Sequence, residues 1–285
     1  MKYFRKMLSL AVFTAVVAAF GGCSDRTVCV KPPMMGWSSW NAYMVDISDS
    51  IIAHQADMMV QKGLKDAGYN FVNIDDGFFG HRDVDGYMIP HPQRFPKGSE
   101  GMRALADHIH SLGLKAGIYS DAGHNTCGSS YNHDLNGLGA GLWSHDVQDA
   151  QRYFNEWDFD FIKIDYCGAR DLKLDERQRY MQIRTVIDSI ASKPIEINIC
   201  RWNYPGTWVD KAGESWRISG SSVLSGPQSS TSSGRISTSR PTPLVDATTI
   251  WICLQWATTS SLRLSGRTDS GSATPRRRRI SESGA

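Results

Sequence analysis

From Pro32 to Gly220, apolar and polar positions alternate in a strand-then-helix rhythm. Six short apolar runs bounded by polar or glycine residues predict strands: MMGWSSW, YNFVNIDDG, LKAGIYSDAG, FDFIKIDYCG, PIEINICRW and SWRISG. Helical spacing fills the gaps between them. In GMRALADHIHSLG the apolar set is Met102, Leu105, Ile109 and Leu112, with Gly113 as the stop. In RYMQIRTVIDSIASKP it is Tyr180, Ile183, Ile187 and Ile190, with Pro194 beyond. Repeated strand-helix units predict an α/β chain built as a parallel sheet or a β/α barrel.

The alternation also assigns faces. In the fifth run Ile195, Ile197 and Ile199 oppose Glu196, Asn198 and Cys200, and in the fourth Ile162 and Ile164 oppose Phe161, Lys163 and Asp165. A sheet with helices outside and polar groups inside is a barrel with a site in its mouth. Such sites form at the C-terminal strand ends, where Asp75, Asp76, Asp121 and Asp165 fall.

Lys163 and Asp165 lie one pleat apart, so the ammonium is expected beside the carboxylate, favouring its ionised form and suiting it to nucleophilic attack. A plain ion pair at the barrel mouth is the other reading of Lys-x-Asp. Asp75 and Asp76 in NIDDG, Trp37 and Trp40 on the first strand, and Tyr119 and Asp121 on the third crowd the same rim. Singly, an Asp pair makes a turn or cap and a tryptophan makes core. Together, carboxylates that accept hydroxyl protons and rings that stack on a pyranose favour a carbohydrate site.

The segments MGWSSWNAY, LKDAGYNFVNIDDGF, PQRFPKG, LGLKAGIYSDAG, TCGSS, FDFIKIDYCG and SWRISG, in this order and spacing, resemble glycoside hydrolase family 27, the α-galactosidase or melibiase family, over residues 32 to 220. The resemblance implies a (β/α)8 TIM barrel, a retaining mechanism and a terminal α-galactoside in an oligosaccharide or polysaccharide. It further implies Asp165 as nucleophile, Trp37, Asp75, Asp76, Tyr119, Lys163, Cys200 and Arg217 around the sugar, and a Cys127–Cys167 disulfide beside the nucleophile. Gly77, Phe78 and Arg201 depart from the family's usual residues next to the pocket, which leaves β-L-arabinopyranose open as an alternative sugar.

The amino terminus carries basic residues, a short apolar stretch and then FGGCSD, the pattern of a secretory signal over residues 1–22. Cys23 resembles a bacterial lipoprotein cleavage site, which would lipidate it and anchor an exported protein to a periplasmic or surface membrane; residues 23–31 then form a linker. Export permits disulfides. A net charge of +2 in 285 residues, partly from RRRR at 276–279, gives no reason to invoke nucleic acid. Six cysteines without a paired C-x-x-C, and the lack of a phosphate loop or dinucleotide fingerprint, predict no metal and no cofactor.

After Gly220 the pattern fails. Retaining glycosidases need a second carboxyl roughly 5 Å from the first. The family places it five residues past the tryptophan of the WR motif, which here is Ser221. Residues 221–285 are rich in serine and threonine and show no strand or helix period, as in a linker or tail. A slipped reading frame is the alternative. Codons for ATTIWICLQWATT, residues 247–259, can be chosen so that reading from the third base spells YNDMDMLAVGNN, the family's seventh-strand motif. A net loss of one base, or gain of two, near Gly220 would leave only six of eight β/α units in frame and no acid/base carboxylate. Three readings therefore stand: an α-galactosidase inactive as written, a sugar-binding surface lipoprotein without chemistry, and a remnant without function.

Overall fold

The structure, a computed structural model, describes residues 34–218. The signal sequence, Cys23, Ser221 and the segment from 221 to 285 lie outside the described residues.

Six strands form one parallel sheet in chain order: β1 (Gly36–Ser38), β2 (Phe71–Asn73), β5 (Lys115–Asp121), β6 (Phe161–Asp165), β7 (Glu196–Cys200) and β8 (Ser215–Arg217). All six predicted runs are strands of this sheet. The intervening pair, β3 (Phe79–Arg82) and β4 (Met88–Pro90), is an antiparallel ribbon after β2 that the sequence pattern does not announce. The arc is a partial β/α barrel, with β1 and β8 each pairing with one neighbour among the described residues.

Helices and single helical turns separate the strands. They are α1 (Trp40–Tyr43), α2 (Asp49–Gln61), α3 (Gly98–Ser111), α4 (Cys127–Tyr131), α5 (Asp146–Ala150), α6 (Cys167–Asp171) and α7 (Glu176–Ile190). Trp40 therefore opens a helix and does not extend the first strand, because the chain turns at Ser39. On α3, Met102, Leu105, Ala106 and Ile109 are buried while Arg103, Ala104 and Asp107 face water, so one stripe packs on the sheet. Gly113 takes a left-handed φ of 70° just past the helix end, a conformation that disfavours side chains with a Cβ. On α7, Asp175 accepts the Gln178 N–H as a cap, and Tyr180, Ile183 and Ile187 are buried. Ile195, just before β7, and Ile197 and Ile199 within it complete that layer from the sheet side.

Asp160 pins the strand starts. It accepts the Ala116 N–H at 2.9 Å and pairs with Lys193 at 2.7 Å and His110 at 2.7 Å. Burial pushes its carboxyl up, but Lys193, His110 and that amide outweigh it and hold the group below the usual carboxylate range. The start of β6 is thereby locked to β5, which sets the register at its other end. No helix among the described residues is long and apolar enough to cross a membrane.

Candidate active site

Register brings the chemistry together. Tyr119 pairs with Lys163, Asp121 with Asp165, Lys163 with Asn198, and Cys200 with Arg217, so side chains from four neighbouring strands share one face. Asp75 and Asp76 follow the end of β2 after a single residue, Ile74.

Lys163 is where the geometry departs from expectation. Its ammonium donates to both oxygens of Asp75, at 3.1 and 2.9 Å, and stands 3.8 Å from Asp165 Oδ2, beyond hydrogen-bond distance. It also lies 5.1 Å from the centre of the Tyr119 ring. Spacing within one strand showed the Asp165 neighbour but not the Asp75 partner on another. The ammonium's own pKa is pushed up, because Asp165 and Asp75 together outweigh the cost of its burial.

Asp165 is 5% exposed, and its Oδ1 has no hydrogen-bond partner among the described residues. Burial raises its carboxyl pKa above the usual range. Lys163 acts the other way, Asp75 adds to the rise, and hydrogen bonding from Cys200 and Tyr119 lowers it. The expected effect of the lysine is present, and burial overrides it. The Cys200 thiol is free and buried beside this carboxylate, with its pKa pushed up first by burial and then by Asp165.

Asp75 is saturated. Besides Lys163 it accepts from Ser38 Oγ at 2.8 Å, from the Asp76 N–H at 3.0 Å and from Asn73 Nδ2 at 3.4 Å. Asp76 accepts the Gly128 N–H at 2.7 Å through Oδ2, while its buried Oδ1 has no partner among the described residues. Burial drives Asp76 up to about 7, against the Gly128 and Thr126 hydrogen bonds that lower it. Sequence reasoning missed Ser38, Asn73 and Gly128. Only Thr126, a helix N-cap in TCGSS, carried a readable signal, and it accepts the Ser129 N–H.

Cys127 and Cys167 form a disulfide with 5.2 Å between Cα atoms. Residues 32–215 match the family model Melibiase_2, described as alpha galactosidase A. The chain belongs to this family. Alpha-galactosidase A of Cellvibrio japonicus is 36% identical over 217 residues, covering 75% of this chain and 50% of that one. Alpha-galactosidase I from Mortierella vinacea superposes with a TM-score of 0.57 at 32% identity, covering 69% of this chain and 47% of its own. The Saccharomyces cerevisiae alpha-galactosidase solved with raffinose gives 0.57 at 30% identity, covering 66% and 40%. The chain thus spans half the length of these relatives or less.

Against the family background, the unusual residues take structural roles. Gly77 has a φ of 114°, and a Cβ there would stand 2.5 Å from the Val45 carbonyl oxygen, so the close crossing requires glycine. Phe78, expected next to the pocket, is instead core, 4.0 Å from Phe79 between ring centres and edge-on to Tyr153 and Trp157. Arg201 pairs with Glu176 at 3.0 Å and stacks over Tyr166 at 4.6 Å. Trp37, the middle residue of β1, is only 2% exposed, edge-on to Tyr43.

Asp121 is also reassigned. Both of its oxygens are filled by backbone N–H groups, so it is not open to a ligand. Two clusters hold metal-ligating side chains among the described residues. One is Asp121 with the disulfide sulfurs. The other, Asp107 with His110 and Asp158, is bridged by Lys193 at 2.6 Å and Arg103 at 3.5 Å from Asp158.

Proposed function

We propose that the strand-end carboxylates form the sugar pocket of a retaining glycoside hydrolase that releases terminal α-D-galactose from oligosaccharides or glycoconjugates. The observation that carries this reading is Asp165: a buried carboxylate at a barrel strand end, with one oxygen unpartnered among the described residues, in a chain of the α-galactosidase family. In this reading Asp165 attacks the anomeric carbon and Lys163 offsets the carboxylate charge. The unpartnered Oδ1 of Asp76 takes a sugar hydroxyl, and Tyr119, Trp37, Cys200 and Arg217 shape the remaining wall. Signal-directed export and lipidation at Cys23 complete the proposal.

The attack itself is incomplete in this chain as written, because the leaving alcohol departs as the Asp165 oxygen–C1 bond forms. Expulsion of an alcohol needs a proton donor, and Ser221 stands where the family's second carboxyl is counted. We read the sequence after Gly220 as out of frame. The family match stopping at residue 215 is consistent with that reading.

The missing acid suggests the test. A galactosyl fluoride loses fluoride without help from a general acid: the C1–F bond breaks, the Asp165 oxygen–C1 bond forms, and fluoride departs with the electron pair. Without a general base the ester then persists. The chain as written, incubated with α-galactosyl fluoride, should gain one galactosyl group on the Asp165 peptide by mass spectrometry and should not turn over p-nitrophenyl α-galactoside. The frame-restored version should do both reactions catalytically. Galactose binding without labelling would favour the sugar-binding lipoprotein, and turnover by the chain as written would overturn the frame reading.

A further inference from the structure

Asp121 is fully buried at the end of β5 and forms no ion pair with another described residue, yet it is densely bonded. Its Oδ1 accepts the N–H groups of Gly123 (2.7 Å), Gly168 (3.1 Å) and Ala169 (3.2 Å), and its Oδ2 accepts that of Cys167 (2.6 Å). Three of these amides are the first of α6, the helix that begins two residues after Asp165. Such amides have no partner within their own helix. The N-cap residue of α6, Tyr166, makes no side-chain cap bond. The cap is supplied by the neighbouring strand instead.

Other contacts bind the same two segments. The Ala122 N–H donates to the Asp165 carbonyl at 2.8 Å, and Cys127 of the disulfide brings its sulfur to 4.0 Å from Asp121 Oδ2. A Cβ on Gly123 would stand 1.9 Å from the Ala169 nitrogen, and one on Gly168 would stand 2.3 Å from the Asn125 carbonyl oxygen, so the segments are pressed backbone to backbone. The next residue after Cys127 is Gly128, whose amide holds Asp76.

We propose that Asp121 is a positioning residue for Asp165: capping α6 from the adjacent strand, it fixes the peptide that follows the nucleophile and ties it to the loop that holds Asp76. The inference rests on the nucleophile assignment above. An isosteric amide isolates the effect, because Asp121→Asn keeps one acceptor oxygen and turns an NH2 group toward amide donors.

The experiment compares the full chain with Asp121→Asn by three readouts. Deuterium exchange in the 165–170 peptide should speed up about tenfold, and labelling of Asp165 by α-galactosyl fluoride should slow about 100-fold, as a misplacement near 1 Å does. Galactose affinity should change less than about threefold, since neither Asp75 nor Asp76 hydrogen-bonds to Asp121. Loss of labelling and affinity in equal measure would mark a merely structural role and overturn the proposal, as would unchanged exchange. An unlabelled wild-type chain would sink the nucleophile assignment, and the exchange readout would still decide the capping. Should Asp121→Asn not fold, reduction of the Cys127–Cys167 disulfide in the wild type, checked by alkylation of that peptide pair, supplies the second perturbation. Reduction should raise exchange in 165–170 and slow labelling, reversibly on reoxidation, and no change in either would overturn the coupling.

Discussion

Lys163 illustrates how a short motif can be legible in kind and wrong in partner. Lys-x-Asp on a strand guarantees a shared face, and the structure keeps Lys163 and Asp165 there. The hydrogen bonds go to Asp75, 88 positions away in sequence, a relation set by the packing of strands that no local spacing encodes. The same gap explains Asp121, whose four amide partners come from the loop after β5 and the first turn of α6. Replacing Lys163 with Met removes a positive charge from Asp165, whose carboxyl is already raised by burial. The acid limb of Asp165 labelling by α-galactosyl fluoride should therefore move to higher pH, since the nucleophile must be ionised and its pKa rises further. A limb that stays in place, or moves down, would show that Lys163 does not act on Asp165 electrostatically.

Whole elements were easier to read than residue contacts, although the pattern named only two of the helices and missed one ribbon. Periodicity found all six sheet strands and the buried stripes of α3 and α7, because each buries one face and exposes the other. The β3–β4 ribbon escaped because its sequence, FGHR against MIP, has charge and proline where alternation is sought. Its stability comes from Arg82. That guanidinium meets both oxygens of the fully buried Asp149 at 2.7 and 2.8 Å and donates to the carbonyls of Gly86, Gly139, Ala140 and Gly141. Substituting Arg82 with Met should destabilise the protein by about 3–5 kcal/mol, because Asp149 is left buried without its partner. Urea titration measures it, and a loss under about 1 kcal/mol would assign the ribbon's order to other contacts.

At the scale of the molecule the buried acids set a pH dependence of unusual direction. Asp76 is raised to about 7 and Asp149 to about 6, in each case chiefly by burial, from an ordinary value of 3.8. The native state therefore holds protons that the unfolded chain releases, and stability falls as pH rises through that interval. Below it the sign reverses. Asp160, Asp134 and Asp188 are held low by their cationic partners, so their contribution is lost as pH falls through their depressed values. The urea midpoint should peak near pH 4 to 5 and decline toward pH 7, and Asp76→Asn should flatten that decline. A midpoint that climbs steadily from pH 4 to 7 would contradict the assignment.

The order of the sheet has a consequence for how the chain comes to be folded. Each parallel strand after β1 pairs with the sheet strand immediately before it in sequence. A polypeptide delivered N-terminus first would thus offer every newly emerging strand a template already in place, and none need wait for a segment still to be made. Assembly can then proceed like a fan opening one rib at a time.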